Sequence, residues 1–507
     1  SEILARRAGL AVVGAFLLVS LCFTGQFPPF ANPNEASRFA TVFAAVESGT
    51  FRIDDALRWV GQTEDKSVSG GHFYSNKAPG LAFAAIPVYR VLRVFLPRPE
   101  TPFAPIWVWV RILVVTSVCC VAFERLRRRI ASRHPSAASL VVAALAFGTP
   151  LLFYGRSFFS HAWTASLVFL SLEAIRRAET ASATRRVGSL LWAAGLLAGW
   201  AALSEYPVAL LAALLLIRAG ARGAFRNAAL FAAGLLIPIA LLLAYNAICF
   251  GSPFVLSSAR EALPEFSELA GKGLFGFRFP DPRIAAGLLF HPARGLLLFS
   301  PFLVWAIPGF LRWRRSGEDR ADWFFCLAGS AIFFAAMCAY PNWHGGWSLG
   351  GRYLLPILFP LALGASRALD SPRSRWLFAA AAAFSIAVHS LEALAWPYYP
   401  LTLPWPPRTV ALWFLSKGWV APAQPGIPVF LAVAVAVLAA AVALAACASA
   451  EGSSHRRSAL AVAAGLAVFA ATLVLAPEPS EEGRRFREGV LVRAIRGGAV
   501  RDLRLDH

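Results

Sequence analysis

Charge is scarce in this 507-residue sequence, and lysine is scarcer still. Only 15% of the residues are Asp, Glu, Lys or Arg, and four lysines (Lys66, Lys77, Lys272, Lys417) stand against 44 arginines. With 58% hydrophobic residues and a mean hydropathy of +0.59, this composition excludes a soluble globular chain. Seven cysteines occur without a CxxC pair and without a histidine at ligand spacing, which argues against a disulfide framework and a structural metal site. They lie mostly within apolar runs, where cysteine serves as a small packing residue. No internal repeat is visible, which speaks against the repeat-built transporters. The net charge of +20 invites a nucleic-acid reading, yet most of it falls in short loops between apolar runs, where positive residues orient a membrane chain. No nucleic-acid partner is expected.

What the chain does have is apolar length. A bilayer is crossed by about 20 apolar residues per helix. Thirteen segments approach that: 9–27, 105–123, 137–154, 161–175, 187–203, 206–217, 228–250, 295–311, 323–340, 353–365, 376–396, 427–446 and 459–476. The spacing predicts an all-α polytopic membrane protein with about 13 transmembrane helices over residues 1–476 and an extracytoplasmic tail over 477–507. Every second loop is basic, from Arg6 and Arg7 through ERLRRRIASRH (Glu124 to His134), IRRAETASATRR (Ile175 to Arg186), IRAGARGAFR (Ile217 to Arg226), LRWRRSGEDR (Leu311 to Arg320), SRALDSPRSR (Ser366 to Arg375) and SSHRR (Ser453 to Arg457). This alternation places the N-terminus in the cytoplasm and the C-terminus outside. The first run is expected to stay as a span, because no small-residue cleavage site follows Phe23.

Four outer stretches are too long or too charged to be mere connectors: 28–104, 251–294, 341–352 and 397–426. Within the first, Leu81 to Leu96 is apolar but interrupted by Arg90 and Arg93, and it reads as an amphipathic helix at the interface. The same loop opens with ANPNEASRFA (Ala31 to Ala40), in which Glu35 and Arg38 have the i, i+3 spacing of one helix face. One reading is a solvated ion pair worth about 0–1 kcal/mol; the other is a charged site at the membrane edge. Lys77 follows in DKSVSGGHFYSNKAPG (Asp65 to Gly80), a lysine retained in an arginine-rich chain, although all four lysines fall in outer loops.

NEASRFATVFAAVESGTFRID, followed by FYSNKAPG, resembles the first outer loop of the C-type (GT-C) glycosyltransferases, above all the lipid A aminoarabinose transferases and protein O-mannosyltransferases. Those enzymes carry an Asp-Glu pair, an Arg-aromatic pair, a Ser-Gly and a Tyr-Phe-x-Lys-Pro-Pro segment. Matching Arg38-Phe39 to the Arg-aromatic pair sets Glu35 at the catalytic aspartate; in the alternative register Asn34 replaces that aspartate and Glu35 matches the glutamate after it. Ser48-Gly49 and Tyr74 to Pro79 fill the later places, with Lys-Ala-Pro-Gly where the family has Lys-Pro-Pro. Arg111 matches an arginine placed just after the family's interfacial helices, GRYLLP (Gly351 to Pro356) is similar to its late Arg-Tyr element, and YNAICFGSPF (Tyr245 to Phe254) is similar to a loop of its bacterial members. The resemblance implies a GT-C fold in the bacterial inner membrane, a polyprenyl-phosphate sugar as donor, and an extracytoplasmic glycan, lipid or protein as acceptor.

Moving a sugar from a lipid phosphate to a hydroxyl needs a base for the acceptor's proton and fixed cations for the leaving phosphate. Glu35 is the expected catalytic base, with Asp65 as the fallback; Arg38, Lys77, Arg352 and Arg111 are the expected phosphate ligands. Tyr74, His161, Glu205, Trp343 and His344 are expected to bind substrate. His161 also reads as a capping histidine, and the tryptophans as an interfacial aromatic belt. His389 and Glu392 are further ionisable groups near an outer helix end. Asp54-Asp55 and Glu64-Asp65 are adjacent acids able to hold a divalent ion, but no metal or other cofactor is expected. Membrane lipids are the remaining partner, and the chain is expected to act as a monomer. Two other classes remain open: a polysaccharide ligase with a diphosphate-linked donor, and a transporter or flippase.

Overall fold

The computed structural model describes residues 2–24, 32–101, 104–221, 225–271, 276–394, 396–417, 429–448 and 455–495. Lys272 and parts of the expected 28–104, 251–294, 397–426 and 477–507 segments therefore lie outside the described residues. Every one of the thirteen apolar runs is helical over much of its length, and among the described residues seven helices are long and apolar enough to cross a membrane. The others are shorter, more charged or broken: the 295–311 run changes pitch at Ser300-Pro301, where the proline ends one helical turn and opens the next. The count of thirteen spans thus exceeds the number of full-length ones. The chain is a multi-pass helical membrane protein.

Composition explains which faces meet. Helix α1 (Glu2–Phe23) buries Val12, Phe16 and Val19 and leaves Leu10, Leu17 and Leu18 on the outside of the bundle, where lipid is the natural solvent. The helices Thr184–Ser204 and Phe225–Phe250 cross so closely that a methyl group on Gly195 would lie 1.8 Å from the Phe231 carbonyl oxygen, and one on Gly234 would lie 2.0 Å from that of Trp192. Only glycine permits this approach, the small-residue packing that replaces the hydrophobic drive inside a bilayer.

The basic loops converge on one end of the bundle. Arg129, Arg218, Glu173, Glu179 and Asp322 form a buried network there, and Arg133 and Arg367 reach Glu318. The expected outer loops converge on the opposite end. One helix, Pro105–Ala131, carries Arg111 near one end and Arg129 near the other, about 27 Å apart at about 1.5 Å per residue. Its turn widens to a π-helix over Arg111–Thr116, which rotates Arg111 inward relative to a regular helix.

At the end away from the basic network, helix α2 (Pro33–Glu47) packs against the helix Gly80–Phe95, whose buried face is Gly80, Leu81, Ala82, Ala85 and Tyr89, with Val91, Val94 and Phe95 left exposed. That division is the amphipathic pattern expected over 81–96. Between the two helices a hairpin pairs β1 (Lys66–Ser69) with β2 (His72–Ser75) through Gly70-Gly71, both at positive φ, as a two-residue turn requires. The second outer loop docks on this hairpin: Ala262 N donates to Lys66 O at 2.8 Å, Ser67 Oγ to Ser257 O at 2.7 Å, and Ser257 Oγ to Asn76 O at 2.9 Å. The described part of the tail is a helix, Glu481–Ile495; its Phe486 meets Trp347 edge-on at 4.5 Å and its Arg487 covers the Trp413 ring.

Candidate active site

The site grows from the first turn of α2. Asn32 caps that helix, its side chain accepting from Asn34 N at 2.9 Å, with Pro33 at the first helical position. The turn then splays two charges apart. Arg38 donates from Nε to Asn34 Oδ1 at 2.9 Å, from Nη1 to Ala78 O at 3.1 Å and from Nη2 to Ser160 Oγ at 2.8 Å. Burial pushes its pKa down to about 10, and Glu205 and Asp65 offset part of that effect.

Glu35 turns the other way. Arg111 grips it with two hydrogen bonds, Nε to Oε1 at 3.1 Å and Nη2 to Oε2 at 2.9 Å, and the Phe158 amide donates to the same Oε1. Both side chains are 2% exposed, and Arg111 also donates to Thr24 O at 3.2 Å. The expected ion pair between Glu35 and Arg38 is therefore not formed, and Arg111 lies with Glu35 and apart from the other expected phosphate ligands. In this arrangement Asn34, not Glu35, is the residue of that turn bonded to Arg38.

The other charges gather around Arg38. Lys77 Nζ lies 3.0 Å from Asp65 Oδ1. Asn76 Nδ2 donates to Glu261 Oε2 at 2.7 Å and reaches Asp65 Oδ1 at 3.5 Å. Burial pushes the Glu261 carboxyl up to about 7 against the opposing pull of Lys77. Glu205 accepts from Ser160 Oγ at 2.8 Å and touches His161 Nδ1. Burial alone would raise the Glu205 carboxyl, but His161, Ser160 and Arg38 hold it below its ordinary value.

Arg352 completes the ring of cations. Its guanidinium is 9% exposed, stacks over Phe159 at 5.4 Å and Tyr353 at 5.2 Å, and donates only to the Tyr353 hydroxyl, at 3.5 Å. Among the described residues no carboxylate lies within ion-pair distance of it, and its Nε has no hydrogen-bond partner. Gly345, at φ +66°, lets the loop backbone pass beside it, where a methyl group would stand 2.7 Å from Nε.

Three expected ligands lie elsewhere. Tyr74 belongs to an aromatic cluster with Tyr245 and Phe250, edge-on to the latter at 5.7 Å. Trp343 packs on Gly287 and His291, and His344 gives its carbonyl to Arg294 while burial and Arg294 push its ring pKa down to about 4. Arg294 pins that loop, donating to Ser348 Oγ at 2.9 Å and Tyr399 O at 2.6 Å. Asp54 accepts from Phe73 N at 3.2 Å inside the hairpin and Asp55 faces Arg58, so the two adjacent acids diverge.

No protein-family model matches the chain, and no curated protein matches it. Solved structures do. ArnT from Cupriavidus metallidurans in the apo state is similar at a TM-score of 0.49 and 16% identity, over 90% of this chain and 75% of that one. The same protein bound to undecaprenyl phosphate is similar at a TM-score of 0.46 and 14% identity, over 92% of this chain and 78% of that one. Arabinosyltransferase EmbB from Mycobacterium smegmatis is similar at a TM-score of 0.45 and 14% identity, over 97% of this chain but 43% of its own length.

Sequence reasoning overlooked Ser160, Asn76, Glu261 and Arg294. Ser160 and Asn76 stand beside residues that were singled out, His161 and Lys77, so widening each motif by one position finds them. Glu261 and Arg294 carry no local signal.

Proposed function

We propose that this protein is a GT-C-type membrane glycosyltransferase that moves a sugar from a polyprenyl-phosphate donor to a hydroxyl of an extracytoplasmic glycan, lipid or protein, with inversion at the sugar carbon. The observation that carries this reading is Arg352. A buried guanidinium without a carboxylate is costly unless an anion completes it, and Arg38 and Lys77 border the same space. Three cations there face two carboxylates, Asp65 and Glu205, and a third carboxyl, Glu261, which burial raises to about 7, so the excess is at most one positive charge. That excess suits the reaction. The donor is a phosphodiester with one negative charge, and the departing polyprenyl phosphate carries up to two, so prearranged cations favour the charge that develops as the bond breaks. The motif string from Asn34 to Pro79 supports the same reading. This cluster of charges lies at the end away from the basic loops, which fits an extracytoplasmic site in a bacterial inner membrane.

The test is binding and turnover by the purified full chain in detergent. Undecaprenyl phosphate is expected to bind, and polyprenol not to; at least one member of a panel of pentosyl and hexosyl polyprenyl phosphates is expected to be consumed. Equal binding of phosphate and alcohol would refute the proposal, and preference for the diphosphate-linked donor would favour a ligase.

A further inference from the structure

Resting on this reading, we infer that the base is His161, oriented by Glu205, and that no carboxylate takes the acceptor's proton directly. Glu35 borders a small cavity with Arg156 and Tyr398, but both of its oxygens are engaged, by Arg111 and the Phe158 amide, and Asp65 is held by Lys77. His161 is differently placed. It is the second residue of the helix Ser160–Glu179, is 5% exposed, and stands edge-on to Tyr154 at 5.9 Å and Tyr353 at 5.4 Å. The helix Thr184–Ser204 runs back to the same end and delivers Glu205, whose Oε1 touches Nδ1 while Ser160 Oγ and Thr164 Oγ1 hold the carboxylate at 2.8 Å and 3.5 Å. The contact is not aligned as a hydrogen bond, but a carboxylate this close to Nδ1 favours the proton on that nitrogen and leaves the Nε2 lone pair for the acceptor. Among the described residues no protein group bonds Nε2. The charged and titratable groups that face the ring are Glu205, Arg38, Arg352, Tyr154 and Tyr353.

The step balances with these groups alone. The acceptor oxygen forms a bond to the sugar's anomeric carbon as its proton passes to His161 Nε2. The bond from that carbon to the phosphate oxygen breaks with its electron pair, and polyprenyl phosphate leaves against Arg38, Lys77 and Arg352. The imidazolium is matched by Glu205 and later returns its proton to water. Ser160 ties the two halves together, since it accepts from Arg38 and donates to Glu205.

The experiment compares His161→Gln, His161→Ala, Glu205→Gln and Asp65→Asn with the wild-type chain on a consumed polyprenyl-phosphate sugar, alongside binding of undecaprenyl phosphate. Removing a general base is expected to lower kcat by about 10²–10⁴-fold, with lipid-phosphate binding within about twofold of wild type, and added imidazole is expected to restore part of the activity of His161→Ala. Glu205 is a positioning residue, so Glu205→Gln is expected to shift the acidic limb of the kcat profile against pH. Retention of kcat by His161→Gln, or loss of kcat in Asp65→Asn alone with binding intact, overturns the dyad and leaves the glycosyl-transfer reading standing. If the wild-type chain neither binds undecaprenyl phosphate nor consumes any donor, that reading fails and the dyad with it.

Discussion

Two clusters of buried charge lie at opposite ends of the same helices, and they are built on opposite rules. At the basic end the central charges are closed: Arg129 donates to Glu173 and Asp322 at 2.6 and 2.5 Å, and Arg218 donates to the other Asp322 oxygen at 2.7 Å and to both oxygens of Glu179. At the other end Arg352 has a hydroxyl and two rings for company, and Lys77 uses one carboxylate for three donors. A closed network fixes helices; an open one waits for a charge that the protein does not supply. The comparison breaks most visibly at Asp322. Its replacement by Asn strips two buried arginines of their shared counter-charge, which costs about 3–5 kcal/mol; a large fall in the thermal midpoint in detergent is expected, with undecaprenyl phosphate binding intact in the protein that remains folded. An unchanged midpoint would show that the network is ornamental to stability.

Arg352→Gln tests the other half. Losing charge-assisted bonds to a phosphate is worth about 1.5–3 kcal/mol, so undecaprenyl phosphate is expected to bind about 10–150-fold more weakly. The thermal midpoint of the empty protein is expected to hold or rise, because a buried unpaired charge has been removed. A fall in the midpoint with unchanged binding would place Arg352 among the structural arginines.

Glu35 is the case in which position and partners disagree. It sits in the motif that the family resemblance marks as catalytic, yet its two-pronged bond to Arg111 belongs to the closed type. Glu35→Gln keeps the shape and loses the charge, so about 1–3 kcal/mol of stability is expected to go, and a cycle with Arg111→Gln is expected to show coupling between the two sites. Loss of turnover at unchanged stability would instead return Glu35 to the role of base.

The sequence made the architecture legible because bilayer length and loop charge are one-dimensional signals: apolar runs became helices, and the loops with arginine met at one end. It also marked Lys77, Arg38 and Arg352, whose residue types are unusual for their surroundings. Direction was not legible. Glu35 and Arg38 share a helical face by spacing, and only the approach of Arg111 from a π-helical turn and of Ser160 from another helix decides that they diverge. Tyr74, Trp343 and His344 are aromatic types that serve packing as readily as sugar binding, and their neighbours come from distant chain segments: Phe250 beside Tyr74, and Gly287 and His291 beside Trp343.

The smallest expected effect concerns the seam between the hairpin and the second outer loop. Glu261 sits there with its carboxyl raised from 4.5 to about 7 by burial, bonded to Asn76. A carboxyl raised on folding binds its proton more tightly in the docked state, so docking is strongest below about 4.5, weakens as pH climbs toward 7, and levels off above it. The amide of Ala262, which bonds Lys66 O at 2.8 Å across the seam, is therefore expected to lose hydrogen-exchange protection over that interval once the intrinsic rate is divided out. Glu261→Gln mimics the protonated form and is expected to keep the protection flat with pH. The closed network at the far end serves as the internal standard: its carboxylates are bonded to arginines, so amides around Asp322 are expected to stay protected across the same range. Protection that falls equally at both ends would mean that the whole bundle loosens with pH and that the seam is not a separate unit.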